Sequence, residues 1–130
     1  MDTRIKILDP AETLAIARRL RDEGKTLKAV VGCFDPVLAG HARRLGDVRD
    51  ESAVVVAVVV DPPRPILAAR ARAELVAALA VVDYVVVPGD APVDDFLAGL
   101  EAAEVVRSEA ADQEITEGLI HHVRSRHSAI

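Results

Sequence analysis

Ser52 to Val60 is a valine-rich apolar run in which polar and apolar residues do not alternate. A strand with one wet face reads with period two, so an unbroken β-branched run marks a strand covered on both faces, as in a parallel sheet. Asp61-Pro62-Pro63-Arg64-Pro65 stops the run, because proline has no N–H to give to a central ladder. Parallel neighbours cannot be joined by hairpins and need helical crossovers.

The rest of the chain supplies such crossovers. Thr26 to Val31, Tyr84 to Val87 and Glu104 to Val106 read as further strands, and Thr26 to Val31 is expected beside the Val54 to Val60 run. Asp9-Pro10-Ala11-Glu12 places a capping carboxylate, a proline at the first helical position and a Glu three residues after the cap. Leu14, Ala17 and Leu20 continue that helix, and Gly24 closes it. Helices are also expected over Gly40 to Val48, Ile66 to Ala80, Val93 to Leu100 and Asp112 to Arg126. In the second of these, Leu67, Leu75 and Leu79 form the apolar face, with Arg70 and Arg72 elsewhere. At 130 residues, the chain is read as one α/β domain over 1–130.

Composition removes several functions. The only aromatic residues are Phe34, Tyr84 and Phe96, and the net charge is −5, which leaves neither a base-stacking surface nor a cationic footprint for nucleic acid. Ala53 to Val60 is too short to span a bilayer, and the first residues are polar. The single Cys33 excludes an internal disulfide and suits a reducing compartment, so a soluble cytoplasmic protein is expected.

The chemistry is expected at Val30 to Leu45, where an apolar strand ends at Gly32, turns through Phe34-Asp35-Pro36 and re-enters a helical pattern at Gly40-His41. A strand–loop–helix junction gathers unpaired N–H groups and the positive end of a helix dipole, which suits a phosphate. Gly32 would let an anion come close to the backbone.

Gly32-Cys33-Phe34-Asp35 followed by Gly40-His41 resembles the cytidylyltransferase-like nucleotidyltransferases, above all the nucleotidyltransferase domain of ADP-heptose synthases, and next glycerol-3-phosphate cytidylyltransferases. Flanking likeness runs from about residue 5 to 107, through Leu20 to Lys25, Arg64-Pro65, Arg72 and Ala78-Leu79 to Val86. The resemblance implies a Rossmann-like three-layer α/β/α sandwich with a parallel sheet of about four to five strands. It also implies transfer of a nucleoside monophosphate from CTP or ATP to a sugar phosphate or polyol phosphate, with Mg²⁺ and pyrophosphate release, in a homodimer. On it, His41 and Arg72 are candidate catalytic residues. Gly32, Cys33, Phe34, Asp35, Gly40, His41 and Arg107 are candidates for nucleotide binding. No metal ligand is assigned.

The sequence departs from the family pattern on phosphate handling. Leu38 stands at the first motif histidine, and only Asp61-Pro62-Pro63 precedes Arg64 where relatives have a longer basic loop. Arg107-Ser108-Glu109 replaces a Lys-Gly segment, and Thr116 is all that remains of a Ser/Thr signature. The rival reading is therefore a catalytically degenerate member of the fold, a pseudoenzyme that binds a nucleotide or partner. Several residues carry a second reading. Asp35 suits a substrate or metal contact, or a cap of the following helix or turn. Arg72 suits a catalytic cation or an exposed helix charge, and Arg43-Arg44 replacement charge or a solvated face. Cys33 reads as a small apolar strand end. His121, His122 and His127 read as helix surface residues, since adjacent helical positions point about 100° apart.

Overall fold

A computed structural model describes residues 1–128, with side chains described as far as Arg126; His127 is thus outside the described side chains. After a 3₁₀ turn at Thr3–Lys6, the elements are β1 (Ile7–Leu8), α1 (Pro10–Asp22), β2 (Thr26–Gly32), α2 (Ala39–Val48) and β3 (Ala53–Val59). There follow α3 (Ala69–Ala77), β4 (Tyr84–Val86), α4 (Val93–Leu100), β5 (Glu104–Arg107) and α5 (Glu109–Ser128).

The five strands form one sheet in the order β1-β4-β3-β2-β5, and every pairing is parallel. β3 lies inside the sheet beside β2, with Val30 opposite Ala57 and Gly32 opposite Val59. Its valines serve both faces, as the unbroken run requires. Val55, Ala57 and Val59 pack with Val30, Leu45, Ala73, Val76 and Ala77, beneath α2 and α3. Val56 and Val58 pack with Val31, Ala17, Leu20, Phe96 and Leu100, beneath α1 and α4. The result is the Rossmann-like three-layer sandwich, and β1 is the strand that the sequence pattern did not reveal.

At α1, Asp9 accepts the Glu12 N–H at 2.7 Å while the Glu12 carboxylate accepts the Asp9 N–H at 3.3 Å, so the expected cap is a reciprocal box. The third helix differs from expectation in length and in its buried face. It begins at Ala69 because the preceding backbone is drawn aside: Asp35 accepts the N–H groups of Ile66 at 2.6 Å and Leu67 at 2.8 Å. Leu75 is 47% exposed, whereas Arg72, Ala73, Val76 and Ala77 are buried. Small residues allow this helix to lie close to the sheet, and Arg72 enters because the strand ends offer it carbonyl partners.

Candidate functional site

From β2 the chain moves outward through β3 to β4, then returns to place β5 on the other side of β2. This reversal opens a crevice at the carboxyl ends of β2 and β5, the usual ligand position in open parallel sheets. The loop after β2 delivers Cys33 to Leu38 to that edge, and the turn after β5 delivers Ser108 and the first turns of α5.

Phe34 turns the chain with φ 50°, a left-handed conformation uncommon for a bulky residue. Its ring is buried and lies 5.6 Å from that of His41, tilted by 52°. His41 is the third residue of α2 and is fully buried. Its Nδ1 accepts the Leu38 N–H at 2.9 Å, which leaves the ring proton on Nε2. Leu38, at the N-cap, has no acceptor to return the favour, so only one half of a capping box exists.

His41 Nε2 lies 3.1 Å from Asp112 Oδ1, but at an angle that leaves Nε2 without a well-formed hydrogen bond. Asp112, on α5, is the centre of the cluster. Its Oδ2 accepts the Cys33 N–H at 2.9 Å, and its Oδ1 accepts from Arg44 Nη1 at 2.8 Å. Ser108 Oγ, which donates to Val31 O at 2.8 Å, is 3.4 Å from Asp112 Oδ2. Burial acts to raise the Asp112 carboxyl. The contacts with His41 and Arg44 outweigh it and hold the group below the ordinary carboxylate value.

The close approach that glycine permits at the end of β2 is used by this same carboxylate: a Cβ on Gly32 would overlap Asp112 Oδ2 and sit 2.9 Å from the Phe34 ring. Gly40, by contrast, has open space where a Cβ would stand. The Cys33 thiol is pushed up to about 11 by burial first and by Asp112 second, so it is not a reactive thiolate.

Arg72 is wholly buried and is spent on the backbone. Its Nη1 donates to the carbonyls of Cys33 and Val60 at 2.9 Å each, Nε to Leu67 O at 3.0 Å, and Nη2 to Asp61. It ties the ends of β2 and β3 to the turn before α3. Asp35, also buried, is engaged with the Ile66 and Leu67 amides. Arg107 is exposed, held by Glu109 at 2.6 Å and Asp94 at 2.7 Å. Of the adjacent arginines, Arg43 faces solvent and Arg44 turns inward to Asp112. Thr116 donates to Asp35 O at 2.7 Å and ties α5 to the loop. The site thus unites Gly32, Cys33, Phe34 and His41 with Arg44, Ser108 and Asp112. The only sequence signal for Asp112 was the strand-end glycine, which shows that something approaches closely without naming it.

A cleft of about 500 Å³ runs beside this cluster, lined on one side by Pro62, Pro63 and Arg64 and on the other by α5 residues including Gln113, Thr116 and His121. Among the described residues no three His, Cys, Asp or Glu are grouped to hold a metal ion, and no helix is long and apolar enough to cross a membrane.

No protein-family model matches the chain. It is similar to the Bifunctional protein HldE of Syntrophotalea carbinolica, 35% identical over 95 residues, covering 66% of this chain and 19% of that protein. The HldE of Sulfurimonas denitrificans is 37% identical over 94 residues, covering 65% and 19%. That of Desulfatibacillum aliphaticivorans is 34% identical over 103 residues, covering 69% and 20%. The chain therefore spans about a fifth of the length of these relatives. This likeness supports the family resemblance read from the Gly32 to His41 stretch.

Proposed function

We propose that the chain is a nucleotidyltransferase-type domain that receives CTP or ATP in the crevice between β2 and β5 and transfers the nucleoside monophosphate to a sugar phosphate or polyol phosphate, releasing pyrophosphate. The observation that carries this reading is the placement of His41, three residues into α2, beside the Cys33 amide at the switch point of a parallel sheet. Main-chain N–H groups, a helix N-terminus and a nearby guanidinium suit a polyphosphate, and the adjacent cleft has room for the rest of a nucleotide. Similarity to part of HldE, a protein named bifunctional, supports the same assignment.

The residues do different work in such a reaction. His41 Nε2–H and the Cys33 N–H would face phosphate oxygens, whose negative charge grows in the transition state. Arg72 would act by fixing the carbonyl ends of β2 and β3, and hence the loop that presents those donors. Mg²⁺ would enter with the nucleotide, its oxygen ligands coming mainly from the phosphates. Assembly as a homodimer and a cytoplasmic location belong to the same proposal, and equilibrium sedimentation tests the first.

A second reading, nucleotide binding without turnover, is favoured by Leu38. An apolar side chain at the N-cap of α2 offers no donor to a phosphate. A thermal-shift panel of nucleoside triphosphates, with and without Mg²⁺, tests binding, since a ligand of the native state raises its melting temperature. Pyrophosphate release with sugar and polyol phosphates then separates the readings. Stabilisation with release supports transfer, and stabilisation without release supports the second. No stabilisation by any triphosphate overturns both.

A further inference from the structure

The anion-binding seat at the switch point already contains an anion from the same chain. Asp112 takes the Cys33 N–H, the Arg44 guanidinium and the closest approach of His41 Nε2, and it is wholly shielded from solvent. A seat that holds one carboxylate against the cost of burying it is chemically competent to hold a phosphate oxygen. Its donor set also exceeds what Asp112 satisfies, since His41 Nε2 is buried without an aligned acceptor.

The element carrying Asp112 is held to the body at few points. Among the described side chains of α5, Asp112 alone is buried, and residues 121 to 126 are all exposed. Besides the bonds of Asp112, the polar ties of its first two turns are the Thr116 bond to Asp35 O, the exposed Arg107–Glu109 pair and a long Cys33 Sγ contact to Glu109 O at 3.9 Å. Ser108 is bonded to Val31 O just ahead of the helix. Gln113, the next residue, lines the open cleft. Withdrawal of the first turn of α5 would therefore join the cleft to the seat.

We infer that Asp112 is a built-in competitor for nucleotide phosphate, so that the site binds a polyphosphate only when the first turn of α5 swings away. The inference rests on the proposed phosphate role of this crevice and concerns its regulation. A seat open for about one-tenth to one-hundredth of the time weakens apparent affinity by about ten- to a hundredfold. Removing the competitor returns that factor.

The test is calorimetric titration of inorganic pyrophosphate, CTP and ATP into wild type, Asp112→Asn and Asp112→Ala, each checked for folding by circular dichroism. The expected result is pyrophosphate binding about tenfold or more tighter in the variants. Equal affinity in wild type and variants, weaker binding in the variants, or no binding by any protein overturns the inference. Tighter pyrophosphate binding with no nucleotide binding upholds the inference and removes the nucleotidyltransferase reading. Equal nucleotide binding in all three proteins does the reverse. Should both variants fail to fold, hydrogen exchange of wild type in excess pyrophosphate decides. Loss of protection over residues 109–116 is expected, with the Cys33 amide still protected because the phosphate takes the place of Asp112, and unchanged protection over 109–116 overturns the inference.

Discussion

Asp112 stands 79 positions beyond Cys33 in sequence, yet its carboxylate accepts the Cys33 amide at 2.9 Å. One hydrogen bond thus joins the loop after β2 to the helix after β5, across the gap where the strand order reverses. The same carboxylate accounts for the glycine at the end of β2 and for the inward turn of Arg44, and it adds to the burial that raises the Cys33 thiol.

Gly32→Ala tests that contact directly. The new methyl group overlaps Asp112 Oδ2, and the Phe34 ring beneath it is fixed by burial. Overpacking of this kind costs about 1–3 kcal/mol. Urea denaturation should show that loss, and part of it should vanish when Gly32→Ala is combined with Asp112→Ala, because the methyl group no longer meets the carboxylate. Strictly additive effects of the two substitutions would show that the side chains do not touch.

Asp112 also predicts a pH dependence with a definite sign. Its carboxyl is held below the ordinary value, by contacts that outweigh the opposing effect of burial. The stabilisation is then complete above the unfolded-chain value, near about pH 4, and is lost as pH falls through the lower folded value. The stability advantage of wild type over Asp112→Asn should be greatest near neutrality and shrink below about pH 4. Asp2 and Asp50 are also depressed, both to about 2, but they are common to both proteins and cancel in the comparison. A gap independent of pH from neutral to acid would contradict the assignment.

Arg72 should matter to stability more than its charge suggests. Asp61, its ionic partner, is 66% exposed, so that pair contributes little. The carbonyls of Cys33, Val60 and Leu67 are different, because Arg72→Met leaves them without their donor. An unsatisfied buried group costs about 1–3 kcal/mol. Only the Cys33 bond is fully buried, while those to Val60 and Leu67 are half-buried, so a loss of about 2 kcal/mol is expected in denaturant unfolding. Arg72→Lys should recover only part, since one ammonium cannot reproduce the planar fork. A loss below about 1 kcal/mol for Arg72→Met would show that water replaces the guanidinium.

The parallel sheet was legible because burial on both faces writes itself into the Val54 to Val60 run, and the α1 cap because its residues are adjacent in sequence. β1 was not, since two half-buried residues make no pattern. Arg72 and Leu75 were misplaced relative to the core because helical spacing ranks side chains by hydrophobicity alone. The carbonyls that make burial of Arg72 affordable lie on other elements. In the site, glycine, aromatic and histidine at fixed spacing pointed to the loop. The carboxylate that fills it lies in the first turn of a helix, 79 residues from Cys33, where an acidic residue already has a local explanation in the helix dipole. The family resemblance grouped Arg107 with the phosphate loop, but its nearest charges are Glu109 and Asp94.

Activity, finally, should be limited in two places at once. Leu38 gives the α2 N-terminus no side-chain donor, and loss of one preorganised donor to a developing charge costs about 10²–10³ in rate. Asp112 occupies the seat in which that donor would act. Leu38→His alone therefore should raise pyrophosphate release only slightly, because the phosphates still compete with the carboxylate. Asp112→Asn alone should improve binding more than turnover. Together the two substitutions should exceed the product of their separate effects, since the new imidazole becomes useful only when the phosphate is seated. The measurement is pyrophosphate release from CTP and ATP with sugar and polyol phosphates, for wild type, both single variants and the double variant. Turnover by wild type at about 10 s⁻¹, the middle of the ordinary enzymatic range, would show that neither residue limits the reaction. A double variant no faster than Leu38→His would show that Asp112 does not stand in the path of the substrate.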